Sequence, residues 1–340
     1  MDTDFLNDFI DLLTGSKSAR MSRHMYADHK GERSGQSMSG AKLWATLAND
    51  EPDYPIARAD VWLLNDSLSD ILPYIPPHIP LYDLGPGNKS AIESKSLKLL
   101  EKVESSRYVA VDASEAYAEA AAQAVKDAFP QIATALCVGD IYTDKEKVTE
   151  PTLAYFGGST IGNIPNPVSQ DFPFDRLVDT LGYLLSYARK GWLLLSFDTT
   201  SNNAELHKRY DNKASEDFAC NVLYRAACEL PIEGFDPNLF KHVSKWVPES
   251  HQLAHLLVAT AEQHIKINGQ KLVIKKGQEL HITNSYKITP KIFEAALAEV
   301  GCALEYKSFD TTGMALYLVR SPYAAPVLAR STPTTDNVIG

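Results

Sequence analysis

Six residues, Tyr82-Asp83-Leu84-Gly85-Pro86-Gly87, constrain this chain more than any others. An apolar run at residues 80–84 leads into them, and a stretch with helical spacing at 90–103 leads away. Glycines between a strand and a helix let the backbone turn sharply and approach a ligand closely, beside the positive end of the helix. The same rhythm then continues. An apolar run at 108–112 ends in Asp112, and an Ala-rich helix over 114–129 follows, with Ser114 as its N-cap. Further strands are expected at 133–138, ending at Gly139-Asp140, at 152–156, ending at Gly157-Gly158, and at 192–197, ending at Asp198. Apolar strands alternating with helices predict an α/β fold, a parallel sheet covered on both faces.

The flanks read differently. Residues 5–13 have the spacing of a short amphipathic helix, and 41–75 read mainly as helix with a break at 51–55. Between them, residues 16–40 are rich in Ser, Gly, Arg and Lys and show no hydrophobic period, which suits either a lid over a site or a loose tail. From residue 202 the strand and helix rhythm breaks. Helical stretches at 204–230 and 237–241 lead to strand-like runs at 253–267 and 271–283, joined by a hairpin turn at Asn268-Gly269. Stretches at 290–300 and 315–319 return to the first sheet. The expected organisation is N-terminal helices and lid (1–75), an α/β domain in two pieces (76–201 and 288–322), an inserted α+β domain (202–287) and a tail (323–340).

Charge and composition narrow the function. Asp and Glu number 43 against 33 Lys and Arg, a net charge of −10. Affinity for nucleic acid rests largely on neutralising phosphates, so an acidic chain without a basic stripe points to a small-molecule ligand instead. Cys137, Cys220, Cys228 and Cys302 form no CxxC pair, which predicts free thiols in a reducing compartment. Acids at Asp2, Asp4, Asp8 and Asp11 do not suit a signal peptide, and no run of about 18 apolar residues is long enough to span a bilayer. A cytoplasmic protein is expected. His251 and His255 have the i, i+4 spacing of a metal pair but lack a third histidine or carboxylate, so no metal is expected.

The strand ends carry the chemistry. Asp112, at the end of the second strand, is placed to accept hydrogen bonds from both hydroxyls of a ribose, and Asp140-Ile141 at the next strand end to hold an adenine. A third glycine at the dinucleotide spacing is missing, since Ala91 or a neighbour stands there, which disfavours pyrophosphate and with it a nicotinamide-dependent oxidoreductase. The loop after the fourth strand, Gly158-Ser159-Thr160-Ile161-Gly162-Asn163, mixes glycines with hydroxyl and amide groups and opens onto the same crevice. The bland alternative is a set of turn glycines and capping acids with no cofactor at all.

On these residues the chain resembles the histidine-specific methyltransferase family over roughly 26–320. Its best-known members make histidine betaine on the way to ergothioneine, and fungal relatives methylate a prenylated tryptophan. The Gly158 to Asn163 phrase carries most of the likeness. Gly139-Asp140, Tyr210-Asp211, Asn221-Val222-Leu223 and His242-Val243-Ser244-Lys245-Trp246 support it. The resemblance implies a Rossmann-like class I methyltransferase domain using S-adenosyl-L-methionine (AdoMet). Gly85, Gly87, Asp112, Asp140 and Ile141 would bind the cofactor, with Tyr26 closing over it. A cofactor-touching lysine of the family falls on Ala91, leaving Lys89 as the nearby substitute.

Asn163 and Tyr210 match the family's grip on a substrate α-carboxylate, and Gly158 and Thr160 match the lining of the methyl-accepting amine. Around the substrate side chain the likeness fails. Where histidine-specific members have a tyrosine, a methionine, a glutamate and a serine, this chain has Asp53 (or its neighbour Tyr54), His255, Thr283 and Ser285, with Trp44 close by. An acid facing a guanidinium makes paired charge-assisted hydrogen bonds. Arginine, methylated on a side-chain nitrogen, is therefore the first expectation, with Asp53, Tyr210 and Asn163 as the catalytic set. Histidine or an aromatic amino acid methylated at its α-nitrogen is the alternative, and a binding protein that has lost catalysis is the other class.

Overall fold

The computed structural model describes residues 2–17, 20–33, 36–139, 141 and 148–324. Its centre is a seven-stranded sheet in the spatial order Ala303–Phe309, Met314–Arg320, Trp192–Asp198, Leu153–Phe156, Leu81–Leu84, Arg107–Asp112, Ala133–Val138. Neighbours from Trp192–Asp198 to Ala133–Val138 pair in parallel, whereas Met314–Arg320 runs antiparallel to both its neighbours. Successive residues of a strand face opposite ways, so each strand feeds two cores. Leu81, Tyr108, Ala110, Leu153, Tyr155 and Leu194 join one cluster; Tyr82, Val109, Val111, Ala154, Phe156 and Leu195 join the other. The first face is covered by the helices Ile56–Ile71, Leu97–Val103 and Glu115–Ala128, the second by Phe174–Tyr187 and Pro290–Glu299. This strand order, with one antiparallel member, is the class I methyltransferase fold in a Rossmann-like frame.

Between Trp192–Asp198 and Pro290–Glu299 the chain builds two small antiparallel sheets. One has Gln252–Ala259 at its centre, flanked by Phe240–Val247 and Glu279–Tyr286; the other has Gln263–Ile267 between Ile232–Glu233 and Gln270–Ile274. Asn268 and Gly269 both have positive φ and make the turn that their sequence predicts. The helices Asn203–Tyr210 and Lys213–Glu229 precede these sheets, each capped by an asparagine that accepts a first-turn N–H, Asn202 from Glu205 at 3.2 Å and Asn212 from Ser215 at 2.9 Å.

Four local expectations need correction. Only Pro237–Leu239 of the stretch 237–241 is helical, a single tight turn, and Phe240 starts a strand in which Phe240, Ser244 and Val247 are buried. Proline starts a helix readily, so its spacing near Phe240 mimicked one. Residues within 16–40 hold a two-stranded hairpin, Asp28–Arg33 with Gln36–Ser39. Ala303–Phe309 is a further strand at the sheet edge, where half-exposed residues blur the apolar signal. Ser114 occupies the N-cap position without capping; its own N–H donates to the Asp112 carboxylate at 2.8 Å. Most of the expected tail, residues 325–340, lies outside the described residues.

Candidate active site

At the carboxyl end of Leu81–Leu84, Gly85 and Gly87 take φ of +70° and +76°, a conformation that costs other residues a steric clash. Nothing stands within 4 Å of where a Cβ on Gly85 would sit, so the backbone there is open to a ligand. One strand over is Asp112. Burial raises its pKa above the ordinary carboxylate value, and the Ser114 N–H opposes that rise. A carboxylate can accept about four hydrogen bonds, so Asp112 retains capacity for a ribose diol. Ile141 is half-buried against the core beneath this crevice. Asp140 lies outside the described residues. Lys89 is on a solvated helix face, its side chain 82% exposed and 3.7 Å from Glu93.

The next strand end, Leu153–Phe156, releases the loop Gly158 to Asn163. Asp60, fully buried, fixes it from below. Its carboxylate accepts from Gly158 N at 3.0 Å, from Lys95 Nζ at 2.8 Å and from Ser196 Oγ. Ser159 is left-handed (φ 60°), and its Oγ accepts from Asp198 N at 2.9 Å; Thr160 Oγ donates to Gly157 O at 3.2 Å. A loop pinned at this many points presents Gly158, Thr160 and Asn163 rigidly to a cleft of about 720 Å³, its open mouth included.

Aromatic rings wall that cleft. Tyr26 and Trp44 meet edge-on at 5.6 Å, Trp44 and Tyr54 at 6.0 Å, Tyr54 and Tyr210 at 5.4 Å, and Tyr210 and His255 at 5.2 Å. Tyr26 also feels Asp112 and Tyr210; burial first, and then neighbouring groups including these, raise its pKa. Tyr26, which lines the cleft, is thus near Asp112 as well. Tyr210 ends its helix, and its hydroxyl accepts from Lys287 Nζ at 2.8 Å. Lys287 and Asp198 are both fully buried and pair at 2.8 Å. Opposite, the antiparallel sheet presents alternate residues. His255 stands between Ser244 and Thr283, and a bulge at His255/Leu256 sends the ladder out of register. The bulged residue Ile282 turns its carbonyl to Met21 N, 2.8 Å away, and so ties the N-terminal segment to the cleft.

Nine of the ten residues expected to touch substrate line this one cleft: Trp44, Tyr54, Gly158, Thr160, Asn163, Tyr210, His255, Thr283 and Ser285. Asp53 does not. It lies on the surface, 41% exposed, and pairs with Lys208 at 3.0 Å, while its neighbour Tyr54 is 5% exposed and lines the wall. The residue break ahead of the Ile56–Ile71 helix has no periodicity to fix which side chain turns inward. His251 and His255 are not a metal pair: His251 follows a tight turn and His255 lies in a strand, where four residues span roughly 13 Å. His242, Phe218, Met25 and Leu47 also line the cleft, and Lys287 and Asp198 lie behind it; none of these six was singled out as a site residue by local pattern. Asp198 alone carried a usable signal, an acid at a strand's carboxyl end like Asp112.

His242 Nε2 and His255 Nδ1 are 3.0 Å apart in stacked rings. Burial drives the pKa of His242 down to about 4, against the pull of Asp211 and Glu216. Burial, then His242, Lys287 and His281, hold His255 well below its ordinary value. Both imidazoles are neutral at pH 7. Among the described residues no carboxylate lines the cleft.

A sheet of this order, with an open glycine turn and an acid at successive strand ends, is the frame of an AdoMet-dependent methyltransferase. Residues 17–320 match the family described as histidine-specific methyltransferase, SAM-dependent, and the chain belongs to it. It is 27% identical over 272 residues to a histidine N-alpha-methyltransferase of Mycolicibacterium smegmatis, covering 77% of this chain and 81% of that protein. It is 25% identical over 255 residues to the uncharacterized protein y4iF of Sinorhizobium fredii, covering 71% and 80%. Among solved structures, magnesium protoporphyrin IX methyltransferase from Synechocystis with bound SAH is 12% identical at a TM-score of 0.42, covering 83% of this chain and 94% of that one, a likeness of outline only.

Proposed function

We propose that this enzyme methylates the α-nitrogen of a free amino acid with an uncharged side chain, histidine being the first to test. The observation that carries this reading is the cleft wall, which offers hydroxyls, two amides, aromatic rings and two neutral imidazoles, and among the described residues no acid. A guanidinium or ammonium side chain entering such a pocket would lose its water without gaining a counter-charge. Arginine, expected from Asp53, therefore loses its support. A neutral imidazole ring suits His255 and Thr283, each of which can offer or accept a hydrogen bond. The relative from Mycolicibacterium, a histidine N-alpha-methyltransferase by name, supports the same choice. Thiols at Cys137, Cys220, Cys228 and Cys302 suit the reducing cytoplasm.

Bound AdoMet supplies a methyl group on a sulfonium, open to in-line attack by a nitrogen lone pair. The chain's own work is positioning. Asn163 and Tyr210 hold the carboxylate, Gly158 and Thr160 set the amine, and Tyr26 closes the cleft toward Asp112. Alignment of two reactants is worth several kcal/mol of barrier, and an amine that sheds its proton to water before binding needs no strong base. A screen of the twenty amino acids with methyl-labelled AdoMet tests the reading. Turnover should be highest for histidine or an aromatic amino acid. Arginine or lysine leading the screen overturns the side-chain assignment, and AdoMet binding without turnover of any amino acid overturns catalysis on this substrate class.

A further inference from the structure

Behind the cleft sits a buried group of charges that does not balance. Lys287 and Asp198 are fully buried and Arg209 is 4% exposed. Both cations pair with Asp198, Lys287 at 2.8 Å and Arg209 at 3.4 Å. Two positive charges thus share one negative charge, and one positive charge is left over in a region of low dielectric. Burial opposes the charge on Lys287, but Asp198 first and Tyr210 next hold its pKa above the ordinary lysine value, so the ammonium persists. Burial likewise pushes Asp198 up, and Lys287 and Arg209 bring it below its ordinary value, so the carboxylate persists as well.

The three N–H bonds of Lys287 have three partners: Asp198, the Tyr210 hydroxyl at 2.8 Å and Ser285 Oγ at 3.0 Å. Each hydroxyl oxygen is therefore an acceptor toward the lysine and must send its own proton elsewhere. Tyr210 and Ser285 stand 3.3 Å apart and the Tyr54 hydroxyl also bonds Tyr210, so these two contacts use at most two of the three hydroxyl protons. All three residues line the cleft, and the remaining proton has the cleft to point into. A hydroxyl that accepts from an ammonium is also polarised into a stronger donor.

We propose that Lys287 is the positioning residue of a carboxylate-selecting floor: through Tyr210 and Ser285 it aims hydroxyl donors into the cleft, and its group's surplus positive charge is completed by the substrate's carboxylate. The enzyme thereby takes free amino acids and rejects their amides, esters and decarboxylated amines. This rests on the reading of the substrate as a free amino acid and adds the group that enforces it. Lys287 does not line the cleft, so it acts through the two hydroxyls.

The test compares kcat/KM for the best amino acid of the screen with that for its carboxamide, in wild type, Lys287→Met and Ser285→Ala, with AdoMet affinity measured by calorimetry. Wild type should prefer the acid at least a hundredfold. Lys287→Met should cut that preference at least tenfold, mainly through a higher KM for the acid, with AdoMet affinity within about twofold of wild type. Should Lys287→Met fail to fold, Ser285→Ala, which removes one donor and no charge, must cut the preference at least threefold. An undiminished preference in either folded variant overturns the proposal. Wild-type turnover of no free amino acid instead overturns the reading beneath it, and wild-type indifference between acid and amide overturns the carboxylate floor while leaving amine methylation standing.

Discussion

Asp112 and Asp53 show how unequally two acids of one chain can bear on its chemistry. Asp112 ends a strand, and a strand's end has a fixed place in the sheet; its carboxylate is mostly buried beside an open glycine turn. Hydrogen bonds to a charged acceptor are worth roughly 1.5–3 kcal/mol each. Asp112→Ala should thus weaken AdoMet binding more than about a hundredfold, at about 1.4 kcal/mol per tenfold, while the circular dichroism spectrum stays unchanged. Unaltered affinity in calorimetry would remove Asp112 from the cofactor. Asp53 pairs with Lys208 on the surface, and exposed pairs contribute roughly 0.2–1 kcal/mol. Asp53→Asn should leave kcat/KM within about twofold of wild type; a tenfold loss would return it to the site. Residues at strand ends and in the Gly158 to Asn163 loop were legible in the sequence because their position along an element fixes where they face. Lys287 was not. One lysine after an apolar strand looks like any surface lysine until Asp198, 89 positions earlier, is seen beside it.

At the scale of elements the N-terminal hairpin was the least legible, because its strands are polar and draw their order from partners far along the chain. Asn221, fully buried, supplies that order. Its Oδ1 is 2.8 Å from His29 Nε2, and its Nδ2 donates to Met25 O at 2.8 Å and Ala27 O at 3.3 Å. One amide on the Lys213–Glu229 helix thus holds both sides of Tyr26, the residue that links cleft and crevice. Removing it strands buried polar groups at a cost of roughly 1–3 kcal/mol each. Asn221→Ala should speed amide exchange across Asp28–Arg33 at least tenfold and raise the KM of both substrates, with much smaller changes in the seven-stranded sheet. Protection lost equally everywhere would mean that Asn221 serves global stability and not the lid. The two small antiparallel sheets were half legible: Asn268-Gly269 marked the hairpin of one, but the bulge at His255/Leu256 in the other has no local signature and only appears once the two strands are paired.

For the whole molecule, burial of neutral histidines predicts an acid limit. Burial is the leading cause that depresses His24, His242, His251, His255 and His281, against Asp8 for His24, against Asp211 and Glu216 for His242, and against Asn284 for His281. In the unfolded chain these rings take up protons near pH 6.5; in the native chain they resist. Their contribution to stability is therefore complete above pH 6.5 and is lost as the pH falls toward the native values, about 4 for His242. For His242 that difference amounts to roughly 3 kcal/mol by pH 4. Carboxylates stabilised in the fold, Asp198 among them, act in the same direction at lower pH, while the raised Asp83 and Asp112 oppose them. Urea unfolding measured from pH 7.5 to 5 should show stability falling by more than about 1.4 kcal/mol per pH unit near pH 5.5, which corresponds to uptake of more than one proton on unfolding. His255→Phe, where it folds, should make that slope shallower, since it removes one of the resisting rings and relieves the charge that His242 would meet. A stability that is flat or rising toward pH 5 would show that these rings are not held neutral in the fold. The wall would then carry a positive charge, and an amino acid with an acidic side chain would become the better candidate for the cleft.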